Sequence, residues 1–191
     1  KLTLIILLCF LSFNIQGQNI RKSFLNKIEK SYNSAPNAAT IAKYINKSDK
    51  NLKNLNESIK YLGRVVSGSN KSSRKKKYAI SIKENSEIII SNGKVATKYI
   101  NKVLNSHRLD SVEKRKLYFI NSKLHDMDYD AKSIIRICNL TLTKPRKLKV
   151  RNFNTMVRLN QRVHDAYNEL LTKTLVLLKV AASESAKRNS Y

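Results

Sequence analysis

Two runs of closely spaced lysine and arginine residues are the part of this sequence best suited to chemistry, and that chemistry is the binding of phosphate groups. Cationic side chains at this density contact phosphate oxygens without reading a base sequence. The candidate anion-binding residues are Lys71, Arg74, Lys75, Lys76 and Lys77 in the first run and Lys144, Arg146, Lys147, Lys149 and Arg151 in the second. They predict an anionic partner, such as an anionic lipid or lipopolysaccharide.

Two alternative explanations of this basicity remain open. Loops are often solvated and rich in lysine whatever they bind. Lys, Asn, Ile and Ser are abundant in the chain, as in AT-rich coding sequences, so codon composition alone could account for much of the net charge of +25. Sequence-specific nucleic acid is not an expected partner, because no recognisable DNA-reading module is present and neither run interleaves aromatic residues for base stacking.

The segment from His125 to Asp130 has the spacing that most resembles a metal site, with aspartate at every second position. A calcium-binding EF-hand needs a glycine for its sharp turn and a glutamate at its last position. Ala131 and Ile137 stand at those positions instead. On a helix, Asp126 and Asp130 share one face, so we interpret the segment as a solvated acidic face that pairs with lysines. No metal ligand is predicted.

Nothing else in the sequence indicates catalysis. His107 and His164 have no partner at metal-ligand spacing, and the sequence has no zinc-protease helix, phosphate-binding loop, dinucleotide fingerprint or nucleophile elbow. Cys138 lies on an apolar stripe, where a buried and unreactive thiol is expected. We therefore predict no enzyme activity, no catalytic residue and no cofactor.

The elements that position these residues are predicted to be helices, because the chain has only four Gly and two Pro and its apolar residues recur at helical spacing. The clearest helix spans Asp110 to Thr143, with Asp110 and Glu113 as a capping box and Pro145 closing it. Its apolar stripe steps by three and four residues through Leu117, Ile120, Leu124, Met127, Ala131, Ile134 and Cys138.

Two further stripes predict the first and last long helices. The first stripe ends before Ser67 and Gly68 and consists of Ile41, Ile45, Ser48, Leu52, Leu55, Ile59, Leu62 and Val66. The last stripe consists of Phe153, Met156, Asn160, Val163, Tyr167, Leu170, Thr174, Leu177 and Ala181. Polar residues within such stripes usually specify register or partner, so Asn160 and Thr174 also make self-association an option.

The segment from Lys76 to Asn105, between the first of these helices and the helix that starts at Asp110, has two interpretations. Ile82, Ile89, Ala96 and Val103 keep a seven-residue spacing, which predicts a helix weakened by a glycine. The isoleucine-rich part from Lys76 to Ile90 also fits a short β-hairpin. We expect the helix, because both neighbouring segments are helical and an isolated two-stranded ribbon is only marginally stable.

The predicted fold is therefore all-α: an elongated antiparallel bundle of four long helices, each about 40–45 Å long. A short amphipathic helix at Ile20–Tyr32 precedes them. Short connections favour antiparallel neighbours, which would place the two basic runs at the same end of the bundle. The link at the other end, Ser106–Asp110, is almost neutral.

Residues 1–17 have the pattern of a cleavable signal peptide. Lys1 provides the positive start, Leu2 to Phe13 form a short apolar run, and Gly17 is a small residue at the expected cleavage position. A retained anchor is the alternative. Residues 18–191 would then form one helical-bundle domain in the periplasm or at the cell surface. Loss of Cys9 would leave one cysteine, so no intramolecular disulfide is expected.

Three features together resemble exported helical transfer proteins of Bacteroides-type conjugative elements. They are Gly17-Gln18 at the end of the signal, Leu109-Asp110-Ser111-Val112-Glu113 at a helix start, and Leu148-Lys149-Val150-Arg151 leading into a terminal helix with Arg158, Val163 and Tyr167. The resemblance implies a minor-pilus-like component of a type IV secretion (mating-pair) apparatus. It would act without catalysis by binding other protein subunits of an envelope assembly. The alternative is an exported binder of polyanions such as lipopolysaccharide.

Overall fold

The computed structural model describes residues 36–66, 71–106 and 111–188, with side chains for 39–66, 71–105 and 111–174 except residue 113. Four α-helices and one short 3₁₀ turn make up this part of the chain. In chain order they are α1 (Pro36–Val66), α2 (Ser72–Ser106), α3 (Ser111–Thr143), the 3₁₀ turn (Pro145–Lys147) and α4 (Val150–Arg188).

The four helices form a closed ring in which each packs against its neighbours in sequence and α4 packs against α1. Across the described residues, no backbone contact joins the diagonal pairs α1–α3 and α2–α4. Residue numbers rise on one helix as they fall on the next. Ser58 is hydrogen-bonded to Ser81 (2.9 Å), and Asn92 donates to Ser48 (3.4 Å). The bundle is therefore antiparallel, as predicted.

The stripes predicted for α1 and α3 are confirmed, because each of their members is buried, Ser48 and Cys138 included. Steps of three and four residues keep one face of a helix turned inward, and four such faces can cover one another. Tyr167 of α4, 2% exposed, is the largest of the fully buried side chains. The core thus runs along the bundle axis.

The segment that allowed two interpretations is a continuous helix, so the hairpin alternative is wrong. Within the isoleucine triplet only Ile89 is buried, whereas Ile88 is 45% exposed and Ile90 is half-buried. A helix separates adjacent side chains by about 100° and so produces this distribution. The inward positions of α2 are Lys75, Ala79, Ile82, Ser86, Ile89, Gly93, Ala96 and Ile100.

The terminal helix α4 carries its predicted polar residues inside the bundle. Asn160 is 5% exposed and donates a hydrogen bond from Nδ2 to Oδ1 of Asn56 on α1 (3.0 Å). Thr174 is fully buried, and Phe153 is half-buried against Gly63 of α1. The Asn56–Asn160 bond joins the first and last helices.

Several predictions fall outside the described residues. They are the signal peptide at 1–17, the short helix at 20–32, the stop at 67–68, the link at 107–110, the Asp110–Glu113 capping box and the side chains of Leu177 and Ala181. None of the described helices has an apolar stretch long enough to span a membrane.

Two glycines in helix interiors predict opposite responses to the same substitution. A Cβ at Gly93 would lie 3.8 Å from Leu124 Cδ2, an ordinary contact, so Gly93→Ala should raise the free energy of unfolding by about 0.5–1 kcal/mol.

A Cβ at Gly63 would lie 2.7 Å from Cζ of the Phe153 ring, so Gly63→Ala should lower the free energy of unfolding. Overpacking costs about 1–3 kcal/mol, more than the helix propensity gained.

Urea unfolding followed by circular dichroism measures both changes, with the slope of the transition as a check that the unfolded states are comparable. If Gly63→Ala stabilised the protein as much as Gly93→Ala does, the Phe153 ring would be able to move away from position 63 without loss of packing.

Candidate anion-binding site

The two basic runs meet at one end of the bundle. The 3₁₀ turn that joins α3 to α4 contacts the beginning of α2, where the first run lies. This juxtaposition follows from the antiparallel order of the helices, which places the start of α2 and the end of α3 side by side. It was predicted from the lengths of the connections and is confirmed.

An open groove of about 550 Å³ separates the two runs. Its lining residues are Ser72, Ser73 and Lys76 of α2 together with Lys144, Pro145, Arg146 and Lys147 of the second link. The four cations are exposed to solvent, and no lining residue is acidic. The groove can therefore present four positive charges and two hydroxyl groups to one ligand.

Both walls of the groove are held by backbone hydrogen bonds. On one side, the N–H of Lys75 donates to the carbonyl oxygen of Lys71 (2.9 Å) and joins the residue before α2 to its first turn. On the other, the N–H groups of Lys144 and Lys147 donate to the carbonyls of Leu140 and Lys144 (both 2.9 Å). Leu148, 4% exposed, anchors the link in the core. The backbone of both walls is therefore hydrogen-bonded, and the lysine side chains that line the groove are exposed to solvent.

The ten candidate residues take three different positions. Lys76, Lys144, Arg146 and Lys147 line the groove. Five others lie exposed at the same end of the bundle but outside the lining: Lys71, Arg74, Lys77, Lys149 and Arg151. Lys75 is only 3% exposed and occupies the first inward position of α2, one turn before Ala79. Continuing the three-and-four spacing of α2 backwards from Ala79 would have placed Lys75 inward.

The basic surface is larger than the two runs. Residues 58–66, 71–83 and 131–164 lie in the same half of the bundle, as the pairs Ser58–Ser81 and Asp130–Arg162 at its boundary show. They contain seventeen Lys and Arg and no Asp or Glu. We call them the carboxylate-free half. The remaining described residues contain fifteen Lys and Arg and eleven Asp and Glu.

Sequence reasoning missed this segregation, although its signal is visible in the sequence. No acidic residue lies between Glu57 and Glu84, and none lies between Asp130 and Asp165. The two gaps are far apart in the chain, and only the antiparallel register brings them together. Placing the two gaps on the predicted antiparallel helices would have shown that they form one continuous surface.

The cations of this half that form ion pairs lie at its boundary. They bind carboxylates just beyond it, in the pairs Lys83–Glu87 (3.9 Å), Lys132–Asp128 (2.5 Å) and Arg162–Asp130 (3.0 Å). Within the described part of the chain, none of the ten candidate residues takes part in an ion pair. The candidate site therefore carries no internal counter-charge.

Basic residues also occur at the other end, where a smaller groove of about 260 Å³ lies between α3 and α4. Its floor includes Phe119, with the ammonium groups of Lys173 and Lys123 at 5.4 and 5.6 Å from the ring centroid. Lys123 also pairs with Glu169 (2.9 Å), so charges of both signs mix there. This mixing distinguishes that end from the carboxylate-free half.

An aromatic pair beside the first basic run was not expected from the sequence. The rings of Tyr61 and Tyr78 stack with centroids 5.7 Å apart, and the Arg64 guanidinium lies 5.1 Å from the Tyr61 centroid. The stacked rings link α1 to α2, and both rings are in contact with other side chains of the protein. The pair therefore supports the bundle at the level of the basic end.

The acidic segment of α3 does not converge on a metal-sized site. Its carboxylates each pair with a cation: Asp126 with Lys123 (4.0 Å), Asp128 with Lys132 and Asp130 with Arg162. The described residues contain no group of three or more potential metal ligands. Pairing with lysines matches the interpretation from sequence for the first two, whereas Asp130 is buried.

Cys138 is fully buried in the core. Burial raises the pKa of its thiol to about 12, and the nearby positive charge of Lys83 opposes this rise. Since the thiolate is the reactive form, the thiol is unreactive at neutral pH.

No protein-family model, no curated protein and no solved structure matches the chain. The resemblance to conjugative transfer proteins, and the export that goes with it, therefore stay predictions from the sequence.

Proposed function

We propose that the protein is a non-catalytic binding protein whose carboxylate-free half docks on a phosphate-bearing polyanion. The observation that carries this proposal is the charge segregation: seventeen cations and no carboxylate share one half of a folded bundle. In the exported setting that the sequence predicts, the phosphates of lipopolysaccharide are polyanions of this kind. A subunit role in a transfer apparatus is the alternative that the resemblance implies.

Codon composition does not account for this distribution. A bias toward lysine codons adds positive charge along the whole chain, as the fifteen Lys and Arg in the other described residues illustrate. It does not remove Asp and Glu from two distant segments that become neighbours only on folding. The segregation therefore favours a surface property of the folded protein.

Electrostatics supply the driving force for such binding. Cations closer together than the Debye length, about 10 Å at 0.1 M salt, repel one another with little screening. A polyanion relieves this repulsion and releases its own condensed counterions, so binding should weaken steeply with added salt. No base-reading or sugar-reading feature is needed.

Reversing three groove cations should lower the salt at which the protein elutes from immobilised polyphosphate. The variant Lys76→Glu/Lys144→Glu/Lys147→Glu removes three cations from the site and adds three carboxylates. A control with the same change of net charge, Lys50→Glu/Lys94→Glu/Lys98→Glu, alters exposed lysines of the other half. We expect the groove variant to elute well before the control, because short-range phosphate contacts are lost only in the former.

Circular dichroism shows whether both variants remain folded. Equal shifts in the two variants would mean that only the total charge matters, and the assignment of binding to the carboxylate-free half would be wrong. Elution of the unaltered protein at low salt would remove the proposed function altogether.

A further inference from the structure

We infer that the groove between the first turn of α2 and the 3₁₀ turn is a discrete site for a phosphomonoester group, carried on a sugar-sized polar body. This inference rests on the proposed function and narrows it from a charged surface to one pocket. The two chemical forms that present such a group are a free sugar phosphate and the headgroup of a phosphorylated lipid.

The size and lining of the groove select this ligand class. Its volume of about 550 Å³ falls within the range of about 300–1,000 Å³ typical of small-molecule sites. Its cations come from two separate segments, Lys76 on one wall and Lys144, Arg146 and Lys147 on the other. A ligand bound between them can meet positive charge on two sides, whereas a flat cluster would contact one side.

The charge state of the ligand follows from the same groups. A phosphomonoester carries a charge of about −1.5 to −2 at pH 7 and offers three terminal oxygens. Four cations without any acidic neighbour favour this dianion over a singly charged phosphodiester. The hydroxyl groups of Ser72 and Ser73 add donors that recognise the terminal oxygens independently of charge. On the opposite wall, Pro145 begins the 3₁₀ turn and the buried Leu148 follows it.

The serines separate this inference from the proposed function. The variant Ser72→Ala/Ser73→Ala keeps every charge, so its elution salt on immobilised polyphosphate, which the whole basic surface determines, should fall only slightly. Its affinity for glucose 6-phosphate, measured by isothermal titration calorimetry at low salt, should fall by about tenfold or more, because hydrogen bonds to charged groups are lost. The control Ser91→Ala, at an exposed serine in the other half of α2, should bind as the unaltered protein does.

A second arm identifies the source of the phosphate. Vesicles containing phosphatidic acid present a phosphomonoester, and vesicles of equal surface charge containing phosphatidylglycerol present a phosphodiester. Saturable binding of glucose 6-phosphate without a preference for phosphatidic acid supports a free sugar phosphate as ligand. A preference for phosphatidic acid that Ser72→Ala/Ser73→Ala abolishes supports a lipid headgroup.

Two results would overturn the inference while leaving the proposed function intact. One is normal retention on polyphosphate without saturable glucose 6-phosphate binding and without a preference for phosphatidic acid. The other is a serine variant that binds as tightly as the unaltered protein. If the unaltered protein were not retained on polyphosphate, both the inference and the proposed function would be wrong.

Discussion

Truncating Leu55 to alanine is expected to lower the free energy of unfolding by about 2–5 kcal/mol. Leu55 is fully buried at the centre of the inward stripe of α1, the helix that packs against both α2 and α4. The substitution loses the transfer energy of the removed carbons and leaves a cavity that neighbouring helices fill only in part. Urea denaturation followed by circular dichroism measures the change.

The matched control is Leu140→Ala on α3, where the same side chain is 37% exposed. We expect this variant to lose less than about 1 kcal/mol, because exposed substitutions usually change stability by about 0.5 kcal/mol. Similar losses in the two variants would show that the inward stripe of α1 does not form the core.

Removing Arg162 is expected to destabilise the protein in a pH-dependent manner. Arg162 Nε lies 3.0 Å from Oδ2 of Asp130, a carboxylate that is 2% exposed. Burial raises the pKa of Asp130 above its usual value, Arg162 opposes this rise, and Asp126 adds to it. Arg162→Ala leaves the buried carboxylate without its cation, so its pKa should rise further.

The sign of the effect follows from linkage. A carboxyl group with a raised pKa in the folded state favours folding most when it is protonated. Its contribution falls as the pH rises from the unfolded-state pKa through the folded-state pKa. At pH 7 the loss on Arg162→Ala should therefore be largest, about 1–3 kcal/mol for a charged hydrogen bond whose cation is largely exposed. The loss should shrink as the pH falls and Asp130 takes up a proton.

Unfolding curves at several pH values test this prediction against the control Arg158→Ala, which removes an exposed arginine one turn away on the same helix. Taking the difference between the two variants cancels the titration of the other carboxylates. A difference that does not change with pH would mean that Asp130 is not the group responsible.

The sequence predicts the fold well where apolar residues occupy the inward positions without interruption. On α1 and α3 apolar residues fill nearly every inward position, so the spacing alone identifies the buried face. On α2 the inward positions include Lys75, Ser86 and Gly93. These residue types give no hydrophobic signal, and their burial depends on what the neighbouring helices bring to them. The ambiguity between helix and hairpin had this physical origin.

The candidate site was predictable in its position but not in its extent or its lining. Antiparallel order and short links suffice to bring the two basic runs to one end. The lining of the groove depends on the 3₁₀ turn at Pro145, which places Arg146 and Lys147 in the same groove as the start of α2. The extent of the basic surface depends on pairing positions such as Ser58 and Ser81 across helices. Predicting the lining and the extent requires the register between neighbouring helices, which the spacing of residues along the chain does not give.

Over the described residues, the carboxylate-free half makes the charge distribution uneven along the bundle axis. Its positive pole lies at the groove, and the centre of charge is displaced from the centre of mass because the eleven acidic groups of the described residues lie in the other half. A charged surface exerts a torque on such a body before contact, within a few Debye lengths. If the proposed function is right, this torque would turn the basic end towards the anionic partner during approach and raise the fraction of encounters that are productive. Added salt should therefore slow association as well as weaken it.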